Sequence, residues 1–515
     1  MRFPDYLNLS MIEIKSKISK LENLGTPEEA FLYANITDWK NSDTRELMLT
    51  AQDYYHNDND IKDRKRWYID RKGNKQEATN LSNSRLCHPY MRQLTNQKVN
   101  HLLAKEPVFN AENEAFSEAL KTYIDKKFLR MLKNVGRDAV VNGIAWIQCY
   151  YDEEGVLKFK RIPSEEIIPF WVDADHTELS AIIRVYSVTQ YTPNGYHKEV
   201  DKVEYYTANG VWYYELGEKG LVTDKQAGTD RHGHFVTTTI EVDEQGNSIS
   251  VENQATWNKV PFVGFKYNPD EISLLKWIKP LIDDYDVNTS DTSNNLQDVP
   301  NSIKVVRAYD GTDKGEFVQN LATFRTAFVD HDGDVTSLTT PMDTTAIEAH
   351  LSRLKRDIFE AGNGVDTQNT DLGNASGVAL KFRFSGLDND VQEMANEFVS
   401  SLEQLIWFIR VDMANKGLGD FMQEDFDVVF NTDMLINEAE IITEAKNSVG
   451  MISDRTILAN HPWVTNVDEE LDFLTEQKEK AFEEQQNMMM TEAEISNMGF
   501  GTDQPGKTDD EEDEE

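Results

Sequence analysis

Several residue groups in this chain have the types and spacing of reactive or ligand-binding sites. The closest pattern match is Gly501 to Thr508, which spells G-T-D-Q-P-G-K-T and satisfies the GxxxxGK[ST] form of a phosphate-binding loop. Such a loop works only when a strand precedes it and a helix follows, so that backbone amides and the helix N-terminus face the phosphates. Here Met488 to Phe500 carries no strand signal, Pro505 removes one amide, and the residues that follow are all carboxylates, which repel nucleotide. The match is therefore read as coincidental, with no ATPase expected.

The carboxylate clusters are weaker signals. Asp330, Asp332, Gly333 and Asp334 resemble the start of a calcium loop, yet the sixth position is Val335 and the twelfth is Pro341, where glycine and a carboxylate are needed. A hairpin turn with solvated acids fits better. Asp58 with Asp60, and Asp283 and Asp284 with Asp286, have the spacing of paired acids for metal binding or proton transfer. With 91 acidic residues in 515, such pairs arise by number alone. No HExxH, GxSxG or Cys/His metal spacing occurs. Neither a catalytic residue nor a metal or other cofactor is expected.

Two basic groups remain. Lys62 to Lys75 places seven Lys or Arg around Trp67 and Tyr68, against Asp63 and Asp70. This fits a phosphate or partner contact, and fits better a solvated loop that pairs with an otherwise acidic molecule. Lys381 and Arg383 follow a Gly/Asn-rich loop and suit phosphate contact or ordinary ion pairing.

The elements that must position these groups come next. A length of 515 residues exceeds one ordinary core, so two or more packed units are expected. The net charge is −39, opposite to the basic surface by which most proteins hold DNA. The only cysteines are Cys87 and Cys149, so no disulfide framework exists and a reducing compartment fits. Neither a membrane-length apolar run nor a signal-peptide core is visible.

The first 105 residues read as helices with one charged interruption. The helices are Met11 to Leu24, Arg45 to Tyr55 and Leu86 to Leu103. Helices around Phe116 to Leu132 lead into a β-rich block with strands at 145–151, 156–162, 181–188, 203–207, 211–216 and 234–242. Leu274, Ile278, Leu281, Ile282 and Tyr285 stripe a helix that fades into polar Asn288 to Val299, a stretch doubtful as helix on its own composition. Short strands at 303–308, 326–329 and 335–338 precede a second amphipathic helix bearing Ile347, Leu351, Leu354 and Ile358. After the loop, Leu387, Val391, Met394, Phe398, Leu402, Leu405 and Ile409 step by three and four, a stripe of roughly 33 Å. Phe426 to Phe430 reads as a strand and Ile436 to Phe482 as helix. The chain closes on seven consecutive acids, Asp509 to Glu515, a solvated tail expected to be disordered.

The order of these segments resembles the portal family of phages that infect Gram-positive bacteria. The pieces that carry the resemblance include Asn83 to Leu86, Leu103 to Pro107, Gly143 to Ile147 and Ile162 to Glu166. Val260 to Phe262 ahead of Ile278 to Tyr285, Gly373 to Leu380, and Gly450 to Ser453 with Thr456 complete the set. The Gly373 to Leu380 stretch (G-N-A-S-G-V-A-L) is the most telling.

The resemblance implies an α+β, mainly helical portal fold of wing, stem, clip and crown, with about twelve subunits in a cyclic ring. Residues 1–40 would be an N-terminal helical extension and 41–272 the wing. Residues 273–299 and 342–361 would be the two stem helices, with 300–341 the clip between them. Residues 362–378 would be a channel loop, 379–434 the long wing helix and its strand, 435–486 the crown, and 487–515 the acidic tail. Double-stranded DNA would pass the loop at Asn363, Asp366, Thr367, Gln368, Asn369, Thr370, Asp371, Asn374 and Ser376, with Lys381 and Arg383 touching phosphates. Arg307, Asp310, Lys314 and Arg325 of the clip would dock the terminase large subunit and later the head-completion or tail connector proteins. Major capsid and scaffolding proteins would surround the ring, which functions in the virion after assembly in the host cytoplasm, with no membrane involved. An acidic balance suits such a conduit, because a strongly basic lining would trap the duplex. The rival readings are a packaging-motor component, which would need a genuine nucleotide loop, and a capsid or scaffolding protein, which the β-rich block disfavours.

Overall fold

The computed structural model describes residues 27–480, except 71, 80, 192–194, 196, 218–219, 225–226, 229, 243–247, 299–302, 308–331, 333, 339–342, 369–376, 431–437, 460, 462, 465–466, 468–469 and 479. Two units are formed: Met1–Gly373 with Phe382–Asp433, and Asn374–Lys381 with Met434–Glu515. The nucleotide-loop look-alike at 501–508, the acidic tail, the helix expected at Met11 to Leu24 and the strand expected at 326–329 lie outside the described residues.

The first unit begins with helices Pro27–Lys40 (α1) and Asp43–Tyr55 (α2). The Ser42 hydroxyl caps α2 by accepting from the Arg45 amide at 3.2 Å. The charged interruption is not a plain loop. Trp67–Ile69 (β1) pairs antiparallel with Lys75–Glu77 (β2). Residues 82–88 then run without regular secondary structure to Tyr90–Leu103 (α3), which starts after Pro89 rather than at Leu86. Val108–Ala111 (β3), Glu114–Lys121 (α4) and Lys126–Asn142 (α5) follow. Asp125 caps α5 through the Phe128 amide at 2.8 Å.

The β-rich block holds Ile144–Tyr151 (β4), Leu157–Ile162 (β5), Ile167–Trp171 (β6), Leu179–Tyr191 (β7), His197–Thr207 (β8), Gly210–Gly217 (β9), Gly220–Thr223 (β10), Phe235–Val242 (β11), Ser248–Ala255 (β12) and Phe262–Lys266 (β13). Strands β6 to β10 form an antiparallel sheet in chain order, β11 pairs with β12, and β4 lies between β13 and β5. Four of these strands, β6, β10, β12 and β13, have no counterpart in the sequence reading. Pro169 sits inside β6, Gly264 sits inside β13, and β10 and β12 are short or polar.

Strand β4 explains the packing. Its alternate residues Ala145, Ile147 and Cys149 join one core, built mainly from α3, α5 and the long helix after residue 377. Ile144 and Trp146 join a second core against α1 and the five-stranded sheet. With both faces covered, the strand reads as the continuous apolar run I-A-W-I.

Leu275–Asp298 (α6), Ile303–Arg307 (β14), Asp334–Leu338 (β15) and Thr344–Ala361 (α7) come next, β14 pairing antiparallel with β15. Helix α6 runs unbroken through the stretch whose composition argued against helix. Gly377–Asn415 (α8) is a single 39-residue helix whose stripe from Leu387 to Met413 is buried in the first core. Phe426–Val429 (β16) pairs with β3. In the second unit the expected continuous helix is divided into Glu438–Ser448 (α9) and Asp454–Ala459 (α10), with a further helical turn set at 470–478. A turn with Gly450 at φ +85° makes the break.

Gly143 ends α5 with φ +91°, and a Cβ there would stand 2.1 Å from the Glu271 carbonyl oxygen. Gly155 also has positive φ (+73°), but with open space around it. Gly143→Ala is expected to lower unfolding free energy by about 2–4 kcal/mol, against about 1 kcal/mol for Gly155→Ala. Urea denaturation of the two variants side by side measures the difference.

Candidate functional site

The segment that the sequence reading assigns to a channel begins where α7 ends, so the site is built from α6, α7 and the residues that hold them. His350 on α7 faces Asp284 on α6 at 3.2 Å. Further along, a Cβ at Gly362 would lie 3.4 Å from Ile278. The two helices therefore run antiparallel. Leu275, Ile278 and Ile282 of α6 and Leu354, Ile358 and Phe359 of α7 are buried at the end nearest the candidate loop.

Beyond Tyr285 the buried residues of α6 are polar: Asp286, Ser290 and Asn294 are each at most 1% exposed. Every fourth side chain accepts a backbone amide from the extended segment 82–88. The His88 amide donates to Asp286 at 3.1 Å, Leu86 to Ser290 at 2.9 Å, Ser84 to Asn294 at 2.6 Å and Ser82 to Asp298 at 3.2 Å. Asn59 and the His88 ring also bind Asp286, at 2.7 and 2.6 Å. Arg64 pairs with Asp291 at 2.7 Å and Arg66 with Asp298 at 2.9 Å. A helix of this composition persists because another part of the same subunit hydrogen-bonds its inner face.

These contacts also account for the acidic clusters. Asp58 pairs with Lys62, Asp60 and Asp283 with Lys279, and Asp284 with His350. Burial opposes the charge on Lys279, but bonds from Asp283 and Asp60 outweigh it and raise its pKa. Tyr54, buried and donating to Asp283, is likewise raised. Among the described residues no group of acids, His or Cys is arranged to hold a metal ion. Asp332 is exposed in a turn. Four of the six described basic residues of 62–75 are ion-paired: Lys62, Arg64, Arg66, and Lys65 with Glu77 at 3.6 Å.

The candidate loop leaves α7 through a fixed base. Gly362 and Gly364 let the chain pass Leu94: a Cβ on either would fall 2.7 or 2.1 Å from its methyl carbons. Between them Asn363 adopts φ +46°. Gln97 grips Val365 twice, donating to its carbonyl and accepting from its amide, each at 2.9 Å. Lys98, with its side chain fully buried, donates to the Asn363 carbonyl at 3.3 Å and to Asp390 of α8 at 2.6 Å. Tyr267 adds its hydroxyl to Asp390 at 2.8 Å. Burial lowers the Lys98 pKa, with Asp390 opposing the shift, and burial beside Asp390 raises that of Tyr267. Lys355 closes the base on Asp366 at 2.8 Å and on Gln368 at 3.2 Å.

Of the residues assigned to the channel, Asn363, Asp366 and Gln368 thus sit in this anchored base, and Thr367 is exposed beside it. Asn369, Thr370, Asp371, Asn374 and Ser376 lie outside the described residues. Lys381 and Arg383 are both exposed on α8, with Phe382 between them 77% exposed. Arg307 is the last residue of β14, opposite Asp334, while Asp310, Lys314 and Arg325 lie outside the described residues. The sequence reading missed Gln97, Lys98, Tyr267 and Asp390. One signal was available: Lys98 falls four residues after Leu94, on the apolar face of its helix, where a charge implies a buried partner.

The family model for SPP1 Gp6-like phage portal proteins matches residues 38–484. The portal protein of Bacillus phage SPP1 is 27% identical over 448 residues, covering 86% of each chain. The portal protein of Clostridium phage phiCD119 is 29% identical over 448 residues, covering 84% of this chain and 93% of the relative. Among solved structures, a chain from the neck of a native GTA particle computed with C12 symmetry aligns over 73% of this chain and 90% of its own length. Its identity is 9% and its TM-score 0.39.

The Lys98–Asp390 pair can be tested apart from any function. Lys98→Met leaves a carboxylate without its cation, and is expected to destabilise the fold by about 3–5 kcal/mol. Lys98→Met with Asp390→Leu is expected to recover at least half of that loss. A double-mutant cycle by urea denaturation should give a coupling of about 2 kcal/mol or more.

Proposed function

The chain belongs to the SPP1 Gp6-like family of phage portal proteins, and from that premise we propose how its parts form and work a DNA conduit. The family is structural, and a phage portal is a component of the virion. About twelve copies stand in a cyclic ring at one vertex of the head. Helices α6 and α7 are the two stem helices, residues 300–341 the clip, 362–378 the channel loop, and 435–486 the crown. The remainder from 41 to 434 forms the wing. The match over residues 38–484 supports this reading, because it reaches across all of these segments but the last two residues of the crown.

The mechanism is passive. The clip, with Arg307, Asp310, Lys314 and Arg325, docks the terminase large subunit during filling and tail connector proteins afterwards. Capsid and scaffolding proteins hold the wing. Double-stranded DNA passes the loop, whose short polar side chains touch the sugar–phosphate backbone without reading base edges. Lys381 and Arg383 supply weak cationic contacts. The anchored base supports this role: Asn363 and Val365 are fastened to α3 and α8, which fixes where the loop leaves α7. An overall charge of −39 keeps contact with the duplex weak enough for transit.

Purified protein is expected to sediment near ~700 kDa, twelve times the 59.1 kDa subunit, and to show rings with a central hole in negative stain. A chain that remains monomeric under all assembly conditions overturns the reading. Replacing residues 369–376 by a short Gly-Ser link should leave the ring intact and abolish DNA packaging. Normal packaging by that variant would remove the loop from the mechanism.

A further inference from the structure

We propose that the β1–β2 hairpin is an arm by which one subunit grips the next copy of the same chain. The inference rests on the ring reading and assigns it a contact. In the antiparallel register Trp67 stands opposite Glu77 and Ile69 opposite Lys75, so these four side chains share one face and Tyr68 with Gln76 the other. All six residues are exposed, Trp67 at 47%, Tyr68 at 51% and Ile69 at 76%. A two-stranded ribbon is marginal in water unless something covers an apolar face. Among the described residues these three side chains stay about half exposed or more, with only Lys75 lying over the Trp67 ring.

The ribbon is nonetheless held in a defined place. At its root Arg66 binds Asp298 at 2.9 Å and the Ser82 carbonyl at 2.6 Å, while Arg64 binds Asp291 at 2.7 Å. At its turn Asp70 accepts the amides of Lys72 and Asn74, each at 2.8 Å. The hairpin therefore projects from the C-terminal half of α6 as a fixed element, ready to meet an outside surface without an ordering cost.

Chemistry selects the occupant. Lys75 lies over the Trp67 ring at 4.7 Å, giving an aromatic–aliphatic face topped by a cation. Lys72 and Lys75 make no ion pair among the described residues, whereas the cations at the root are taken up by carboxylates of the same chain. That leaves too few charges to track a duplex, and Glu77 and Asp70 on the same small element would oppose one. A protein surface with apolar area and surplus carboxylate fits instead. This chain is such a surface, with 91 acidic residues against 52 basic ones.

The test places a photoreactive benzoylphenylalanine at position 69 of the full chain and irradiates the assembled protein. Covalent dimers and higher ladders of the chain are expected, with the adduct mapped by mass spectrometry to a carboxylate-rich surface. In parallel, Trp67→Ala with Ile69→Ser should raise the concentration needed for assembly at least about tenfold. The melting temperature of the dissociated subunit should stay unchanged, because neither side chain is buried. Rings that form without chain-to-chain adducts, adducts to DNA alone, or a double variant that assembles as well as the parent each overturn the hairpin arm while leaving the ring intact. A parent chain that never assembles overturns the ring itself, and the arm with it.

Discussion

Two residues of extended chain advance about 6.6 Å and four residues of α-helix about 6.0 Å. That near-equality is the constraint on which this architecture depends. It lets every second amide between Ser82 and His88 meet every fourth side chain between Asp286 and Asp298, over four successive contacts. Buried polar groups are tolerable only when hydrogen-bonded. The match in pitch supplies such a bond to a side-chain oxygen of each of Asp286, Ser290, Asn294 and Asp298. Without it the helix would have apolar support only from Leu275 to Tyr285, and α7 would have no continuous partner.

The same constraint marks what the sequence could disclose. Stripes of apolar residues are local signals, so the apolar half of α6, the whole of α7 and the stripe of α8 were legible from spacing alone. The polar half of α6 was not, because its partners lie about two hundred residues earlier and donate from the backbone, which leaves no trace in residue type. Leu86 looked helical beside Tyr90 and Leu94, yet it belongs to the extended segment. Strand β6 was hidden by Pro169, and β13 by Gly264. The order of segments pointed to the family, and the match over residues 38–484 agrees.

Within the candidate site, the polar loop residues were expected to face passing DNA. Asn363 and Asp366 fasten the base of the loop: one donates its side-chain amide to Asp390, the other offers its carboxylate to Lys355. The carboxylates that looked like metal or acid–base pairs are engaged in the same way, by Lys62, Lys279, His350 and the His88 ring. Part of the acidity of this chain is thus structural, organising α6 and its surroundings.

The use of main-chain donors divides the genetic burden unequally. Leu86 holds Ser290 through its amide while its own side chain is 42% exposed, so that codon can drift among nearly all residues that keep an N–H. Ser290 has no such latitude, since any aliphatic replacement strands the amide it serves. Relatives of this protein should therefore differ widely along one partner of the contact and hardly at all along the other, and two segments that touch for their whole length would show almost no correlated change.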